Sequence, residues 1–426
     1  MTAADEAYAA FAERLVAGGV LRDPWIDGEP RFRPEPVVLA PERYAEACRA
    51  AEHLAAACHA MVCVLMDEPR LVEDVLGLTP VQRAMWTASA PAWHGMARAD
   101  VFFTDDGVAV AELNCDTPTG QAEAVVLGRL AAEGAEHPGT IDPTRALRER
   151  FVAMLEHVAR RERVAEAGPL KTVGLVYPTE LTDDLPLVRL YKQWLEDEGW
   201  GVVLGSPFNV TFEAGRTRLF GRPIDLMLRH YKTDWWGERT SAWLDDPIDD
   251  DRPLAEPLRA VLSGMAEGTL AVVNPFGAVV PQNKRLLALM WEQIHRLPPD
   301  AQAAVERYVP VTRRLELMHV EQLVAQREQW VIKSDYGSEG EEVLVGRALD
   351  DATWRLALDR ARPGRWIAQQ YFQAETDERG ASVNHGVFLV AGRAAGLYAR
   401  VAVGATDAHA QSAPALVRES ARLQPR

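Results

Sequence analysis

Apolar positions follow the helical period in four stretches of the chain. Residues 5–19 and 41–60 are alanine-rich and repeat their apolar positions about every 3.6 residues, which predicts two helices. The same spacing returns at 119–133 and 143–167. Between the second and third stretches, two short apolar runs flank an Asp-Asp-Gly turn at 105–107. Asp-Gly between apolar runs predicts a β-hairpin.

The pattern changes at residue 171. The segments KTVGLVYPTE, LPLVRLYKQWLEDEGW and GVVLGSP predict a buried strand, an amphipathic helix and a second strand. That order is typical of a βαβ unit with a parallel sheet. In such sheets the ligand crevice lies beyond the carboxyl ends of the strands, where the loop with Glu180, Asp183 and Asp184 falls. A solvated acidic loop explains the same residues equally well. After residue 300 the pattern is mixed α and β, and after about 404 it is loose.

The predicted hairpin carries the first candidate chemistry. Glu112 and Asn114 are two residues apart on one strand, so their side chains leave the same face. Asp100, on the first strand, can lie opposite them, with Arg98 on its own face. Carboxylate and amide oxygens of this kind suit Mg²⁺ beside substrate phosphates. An ordinary surface hairpin with a polar end is the alternative.

A second candidate is a glycine-containing loop between two strands. In WVIKSDYGSEGEEVLVG, Lys333 precedes a loop with Gly337 and Gly340. Backbone N–H groups can approach a polyphosphate closely where glycine has no side chain, and a lysine can reach the phosphates. A hairpin with a chance lysine is the alternative. Neither a Walker loop nor a dinucleotide fingerprint is present in the sequence.

Two further strands fit a nucleotide pocket. In RWIAQQYFQ, Gln369 and Tyr371 share one strand face and Gln370 lies on the other, and such a strand can offer backbone groups to an adenine edge. In GLYARVAVGATD, Arg400 can hold a phosphate or carboxylate as a fork. A surface ion pair is the alternative for Arg400.

Composition limits the class of protein. The 426 residues, 48% hydrophobic and 25% charged, predict two or three structural units of a soluble globular protein. A net charge of −16 argues against nucleic-acid and anionic-membrane partners, and it suits either a cationic substrate or plain solubility. The four cysteines lack CxxC spacing, and we find no signal peptide or membrane-length apolar run. We therefore expect reduced thiols and a cytoplasmic location, and the sequence indicates no oligomeric state.

Four segments together resemble the glutathionylspermidine synthase family, a circularly permuted branch of the ATP-grasp ligases. They are RAD followed by AELNCDTPTG, then VVPQNKRLLALMW, VIKSDYGSEGEEV and GLYARVAVGATD, in the family's order. The resemblance runs from about residue 90 to 417. It implies an α/β (α+β) ATP-grasp fold with a βαβ-containing domain and a two-stranded, Gly-rich phosphate lid. The corresponding domains are 1–170 with the metal-site hairpin, 171–270 for substrate binding and 271–426 for nucleotide binding.

The resemblance also implies an activity. The family condenses a carboxylate, from a small molecule or peptide, with an amine such as a polyamine, using ATP and Mg²⁺ and an acyl phosphate. Carried over by position, the metal ligands are Asp100, Glu112 and Asn114, and the catalytic cations are Arg98 and Arg400. The implied ATP-binding residues are Lys284, Lys333, Gly337, Ser338, Glu339, Gly340, Gln369, Gln370 and Tyr371. The implied substrate-binding residues are Asp116, Thr117, Thr119, Glu180, Asp183 and Asp184.

Several positions depart from the family pattern. Ser334 replaces a proline after the lid lysine, Ser338 replaces an arginine, and Glu341 and Glu342 add negative charge after the loop. The amidase domain of some members is not expected, since there is no room for it. A nucleotide-binding regulatory protein and a peptide ligase or phosphotransferase with other substrates remain alternatives.

Overall fold

The computed structural model describes residues 3–133, 137–163, 169–238, 254–337, 342–362, 364–404 and 410–419. The α-helices are α1 (Ala3–Ala17), α2 (Pro41–Asp67), α3 (Pro69–Leu71), α4 (Pro80–Ser89), α5 (Gln121–Glu133), α6 (Leu147–Glu162), α7 (Leu185–Asp197), α8 (Thr233–Glu238), α9 (Ala255–Ala266), α10 (Val279–Gln282), α11 (Arg285–Glu292), α12 (Pro299–Tyr308), α13 (Val320–Ala325) and α14 (Asp351–Ala361). A π-helical turn, Val72–Leu76, follows α3.

The strands are β1 (Trp25–Ile26), β2 (Glu29–Pro30), β3 (Val37–Leu39), β4 (Met96–Thr104), β5 (Gly107–Asn114), β6 (Thr140–Ile141), β7 (Thr172–Val176), β8 (Gly201–Gly205), β9 (Val210–Glu213), β10 (Arg216–Leu219), β11 (Arg222–Pro223), β12 (Leu226–Arg229), β13 (Ala271–Val273), β14 (Thr312–Arg314), β15 (Trp330–Ser334), β16 (Val343–Val345), β17 (Trp366–Gln370), β18 (Ala381–Val390), β19 (Arg393–Val403), β20 (Gln411–Ala413) and β21 (Ala415–Arg418).

The predicted hairpin is confirmed as β4 and β5, and it lies in the five-stranded sheet β20-β19-β18-β4-β5. Asp100 pairs with Glu112 across the hairpin, and a bulge follows Asp100. The next strand, β18, pairs antiparallel with β4 and places Gly386 beside Asp100. Strands from both ends of the chain therefore build the sheet that carries the candidate metal ligands.

Helix α2 packs behind this sheet. Among the described residues, it is the one helix with the length and hydropathy to cross a membrane, and half of its apolar window is buried inside the protein. Its buried side, which includes Leu54, Met61 and Leu65, belongs to the main hydrophobic core together with residues of β4, β5 and β18. A core helix of a globular protein meets the same test of length and hydropathy, so this measure is weak evidence for a membrane span.

The predicted βαβ unit is confirmed as β7, α7 and β8 in the parallel sheet β13-β12-β7-β8. Leucine, valine and tryptophan side chains on one side of α7 are buried against this sheet. Gly199 closes the helix with φ +79°, a conformation that glycine adopts without steric cost. The acidic loop follows the carboxyl end of β7, as expected for a ligand crevice.

The predicted lid pair is also observed. Strands β15 and β16 are antiparallel, and they belong to a four-stranded sheet of order β14-β17-β15-β16. Lys333 lies on β15 opposite Ile367 of β17. The predicted lid residues Ser338, Glu339 and Gly340 lie outside the described residues.

The end of the chain differs from the loose pattern expected after residue 404. Strand β20 pairs with β19 at the edge of the main sheet, and β21 pairs with β3 and β6. Both strands are short, so they carry little periodicity of their own, and their hydrogen-bond partners are distant in sequence. The three domain bounds remain a prediction.

Candidate active site

A cavity of about 730 Å³ lies between the five-stranded sheet, the four-stranded sheet and the carboxyl end of the parallel sheet. Sites for small-molecule ligands typically have volumes of roughly 300–1,000 Å³. The predicted residues that line it are Arg98, Asp100, Glu112, Asn114, Asp116, Thr117, Thr119, Asp183, Asp184, Lys333, Gly337, Gln369, Gln370, Tyr371 and Arg400. Glu180, in contrast, is exposed and is not part of the lining.

The hairpin presents an oxygen-rich face to this cavity. Asn114 Nδ2 donates to Glu112 Oε1 at 3.1 Å, which places the two side chains on one face as predicted. The Arg98 guanidinium makes a bidentate pair of hydrogen bonds to the Asp100 carboxylate, from Nε to Oδ1 at 2.7 Å and from Nη2 to Oδ2 at 3.1 Å. Its remaining Nη1 donates to the carbonyl of Thr119 at 2.9 Å. The guanidinium is thus fixed between the hairpin and the start of α5.

Two buried lysines approach this face from other segments. Lys284, at the start of α11, lies 3.4 Å from Glu112 Oε2 and donates to the carbonyl of Gly337 at 2.6 Å. Lys333 donates to Gln369 Oε1 at 2.8 Å. The structure therefore brings together cations that are about fifty residues apart, as the resemblance implied.

The charges of the two lysines shift the ionisation of Glu112. Burial alone would raise the pKa of Glu112, but the charges of Lys284 and Lys333 hold it well below its ordinary value. Burial lowers the pKa of Lys333 to about 8. Glu112 is consequently ionised at neutral pH.

The donor set fits a magnesium ion. Asp100, Glu112 and Asn114 offer carboxylate and amide oxygens, which hard divalent cations prefer, and phosphate oxygens of a nucleotide would complete such a set. Within the described residues, no group of three or more His, Cys, Asp or Glu side chains could hold a metal by itself. The site is therefore suited to a metal that arrives with a phosphate ligand.

The predicted adenine hinge is partly occupied by the protein. The amide of Gln369 accepts from Lys333 and donates to Thr312 Oγ1 at 3.2 Å. The backbone N–H groups of Gln370 and Tyr371 donate to carbonyls of neighbouring strands and turns. The hinge role of this strand stays a prediction.

The acidic loop reaches the opposite wall of the cavity. Asp184 Oδ2 lies 3.1 Å from Nε2 of His230, which follows β12. Burial would raise the pKa of Asp184, but the His230 hydrogen bond and the charges of His230 and Lys232 lower it. Asp183 and Asp184 belong to the lining of the cavity, whereas Glu180 does not.

Sequence reasoning missed two glycines, Gly386 and Gly120, which leave room for the side chains of Arg98 and Tyr398. A Cβ on Gly386 would come within 2.8 Å of Arg98 Cδ, so the arginine can cross β18 only over a glycine. Gly120 has φ +98°, and a Cβ there would lie 2.6 Å from the ring of Tyr398. No local sequence signal marks either contact, because both partners come from distant strands.

Sequence reasoning also missed a buried carboxylate. Glu123, in the first turn of α5, lines the cavity and lies 3.7 Å from Arg31. Burial raises the pKa of Glu123. A helix-start glutamate looks like an ordinary dipole partner in sequence, so only the fold reveals its place in the cavity.

A known protein family matches most of the chain. The profile of the glutathionylspermidine synthase preATP-grasp family matches residues 37–418. The chain belongs to this family. No curated protein matches the chain.

One solved structure shows the same overall fold. A glutathione synthetase-like effector from Globodera pallida, in its apo form, superposes with a TM-score of 0.60 at 10% identity, over 96% of each chain. A putative gamma-glutamylcysteine synthetase from Methylobacillus flagellatus gives 0.48 at 13% identity, over 85% of this chain and 86% of that one. An ATP-grasp RimK domain protein from Sphaerobacter thermophilus gives 0.30 at 17% identity, over 59% and 92%. The family match and the Globodera pallida structure confirm the α/β ATP-grasp fold class.

Two departures from the family's loop pattern contact each other. The Ser334 hydroxyl donates to the Glu342 carboxylate and accepts from Gly337 N at 3.0 Å. The backbone N–H of Ser334 donates to the carbonyl of Glu342 at 3.2 Å. A proline at position 334 would make neither the backbone bond nor the hydroxyl bonds. The serine and the glutamate therefore close the base of the loop in this member of the family.

Proposed function

We propose that this protein is an ATP-dependent carboxylate–amine ligase that forms an amide bond through an acyl phosphate. One observation carries the proposal. Four separate segments place Arg98, Lys333 and Arg400 around the same cavity as an oxygen face suited to Mg²⁺, with Lys284 in contact with that face. Membership of the glutathionylspermidine synthase preATP-grasp family supports the same reaction class.

In the first half-reaction, a substrate carboxylate oxygen would attack the γ-phosphorus of ATP, and the bond to ADP would break. The transferring phosphoryl group carries negative charge, so fixed cations lower the barrier by positioning and electrostatics. Lys284 and Lys333 would bind the ATP phosphates, and Arg98 and Arg400 would stabilise the reacting group. Asp100, Glu112 and Asn114 would hold the magnesium ion, which supplies charge neutralisation at the phosphates.

In the second half-reaction, the amine, bound as an ammonium, would lose one proton and attack the acyl carbon. The C–O bond to phosphate would then break, and the nitrogen would release a second proton as the amide forms. Negative side chains favour the positive form of an amine near the site, and Asp183 and Asp184 line the wall opposite the hairpin. A polyamine or another basic amine therefore fits this wall better than a neutral one. Thr117 and Thr119 line the cavity beside the hairpin, and they would contact the acid substrate.

A panel of substrate pairs tests the proposal. Glutathione, short peptides and amino acids would each be offered with polyamines or amino acids, in the presence of ATP and Mg²⁺, and ADP and phosphate would be measured. We expect ADP release only with a matched acid and amine. ADP release with amino acid amines alone would indicate a peptide ligase, and tight ATP binding without ADP release for any pair would indicate a regulatory nucleotide-binding protein.

A further inference from the structure

The loop that leaves the metal-ligand strand is held by its own aspartate. Asp116 is buried, and it comes two residues after Asn114. Its Oδ1 accepts from Arg229 Nη2 at 2.5 Å and from Thr233 Oγ1 at 2.6 Å, and its Oδ2 accepts from Thr233 N at 2.6 Å. The Asp116 carboxylate thus accepts three hydrogen bonds from protein donors.

The backbone of the same loop is held by hydrogen bonds to the side chains of Asn274 and Gln282. Asn274 Nδ2 donates to the carbonyls of Cys115 at 2.8 Å and of Asp116 at 3.1 Å. Gln282 Oε1 accepts from the N–H groups of both residues, at 2.8 and 3.0 Å. Asn274 also bonds to the backbone of Met96, at the start of β4, so one side chain joins both outer ends of the hairpin.

The partner of Asp116 is a fully buried arginine at the end of the parallel strand β12. The side chain of Arg229 has 0% exposure. Its Nε donates to the carbonyl of Asn274 at 3.0 Å, and its Nη1 to that of Tyr231 at 2.6 Å. Among the described residues, Asp116 is the one carboxylate that forms an ion pair with Arg229. A buried arginine without its counter-charge is costly, so the two residues hold each other in place.

We propose that Asp116 is a positioning residue, which acts through Arg229 and Thr233, rather than a ligand of the substrate. By anchoring the loop to the end of the parallel sheet, it fixes Asn114 on one side and Thr117 on the other. The placement of the oxygen face therefore depends on the βαβ domain as well as on the hairpin. This inference rests on the proposed ligase function for its kinetic consequences.

The chain offers a matched control at the other end of the same strand. Asp225 is also buried, and it accepts from Arg163 at 3.1 Å, from Arg216 at 2.8 Å and from two backbone N–H groups. It does not line the cavity. Asp116→Asn removes a buried carboxylate charge from one arginine and Asp225→Asn removes one from two arginines, so both are expected to lower the melting temperature.

Kinetics and binding then separate the two variants. We expect Asp116→Asn to lower kcat about 10- to 100-fold, the usual effect of a misplaced catalytic geometry, while Asp225→Asn stays within about twofold of the wild type. Calorimetry with a non-hydrolysable ATP analogue, with and without Mg²⁺, provides a readout that needs no turnover. The gain in affinity from Mg²⁺ should shrink in Asp116→Asn and persist in Asp225→Asn. Equal behaviour of the two variants in both measurements would overturn the inference.

A milder variant covers the case in which Asp116→Asn does not fold. Thr233→Val removes the hydroxyl donor and keeps both the backbone N–H and the arginine pair. We expect about a two- to tenfold loss of kcat, restored by Thr233→Ser, since one hydrogen bond to a charged group is at stake. Unchanged kcat and unchanged Mg²⁺ dependence in a folded Thr233→Val would contradict the proposal. If the wild type binds Mg²⁺ and nucleotide but releases no ADP, the ligase function fails and the calorimetry alone decides this inference.

Discussion

Glu112 is a candidate metal ligand whose negative charge faces two buried lysines. It pairs with Lys284, accepts from Asn114, and has its pKa held low by two lysines. Its spacing from Asn114 and its place opposite Asp100 could be predicted from the period of a β-strand. Its lysine partners could not be predicted from spacing, because they come from segments far along the chain.

Glu112→Gln should keep the fold and abolish Mg²⁺-dependent turnover. Glutamine still accepts from Asn114, but it removes the charge that faces the lysines and the metal. We expect at least about a 100-fold loss of kcat, a size typical of losing one preorganised electrostatic group. Glu196→Gln, in an exposed pair with Lys192 on α7, is the control and should keep full activity. Unchanged turnover in Glu112→Gln would remove this residue from the metal site.

Gly386→Ala should damage the reaction through Arg98. The added methyl group would meet Arg98 Cδ at 2.8 Å and push the guanidinium off the Asp100 fork. We expect a fall in kcat of about tenfold or more, with a smaller change in the KM for ATP. The control is Gly396→Ala on β19, where the new methyl group meets Thr144 at 3.2 Å, away from the cavity. Equal kinetics for the two variants would show that Arg98 needs no glycine beneath it.

At the scale of elements, local signals predicted the hairpin and the βαβ unit because each is specified by neighbours in sequence. The Asp-Gly turn and the closing Gly199 are examples. Such local signals could not predict the contact at the base of the loop between β15 and β16. Ser334 and Glu342 read as two separate departures in the sequence, yet they form one contact across the base of the loop. Strand β21 was missed for the same reason, since its partner β3 lies near the other end of the chain.

The Ser334–Glu342 contact should tune ATP binding. Ser334→Ala removes two hydrogen bonds at the loop base and is expected to raise the KM for ATP roughly two- to tenfold with little change in kcat. Glu342→Gln should have a smaller effect of the same kind. The double variant should be no worse than Ser334→Ala alone, since both changes remove one shared interaction. Additive effects in steady-state kinetics would show that the two residues act independently.

At the scale of the whole molecule, the active site depends on a sheet assembled from both halves of the chain. Composition predicted a globular protein, the strand–helix–strand pattern predicted a βαβ unit, and the resemblance predicted which segments carry the site. None of these could show that β18 lies between the hairpin and the strand that carries Arg400. This position puts Gly386 against the Arg98 side chain, so the residue there must be small. The same assembly buries His385 beneath β4, next to Phe103 and the Arg43 guanidinium.

The burial of His385 should make the protein sensitive to acid. Burial and the nearby Arg43 charge lower the pKa of His385 to about 4, below its ordinary value of 6.5. As pH falls from 6.5 towards 4, the unfolded chain binds a proton that the folded chain refuses, so stability falls. The loss is roughly 3 kcal/mol over that range. Chemical denaturation at a series of pH values should show a shallower slope for His385→Gln than for the wild type.

The exposed His157→Gln variant is the control for this measurement and should keep the wild-type slope. A wild-type slope in His385→Gln would assign the acid sensitivity to other groups.

The stoichiometry of the reaction tests the ligase assignment most directly. Wild-type protein would be incubated with ATP, Mg²⁺ and the best acid–amine pair, and ADP, phosphate and the condensed product would be quantified together, the last by mass spectrometry. We predict one ADP and one phosphate for each amide formed, and no ADP when either the acid or the amine is left out. ADP release that continues without the amine and yields no amide, or ATP binding with no ADP release for any pair, would contradict the account.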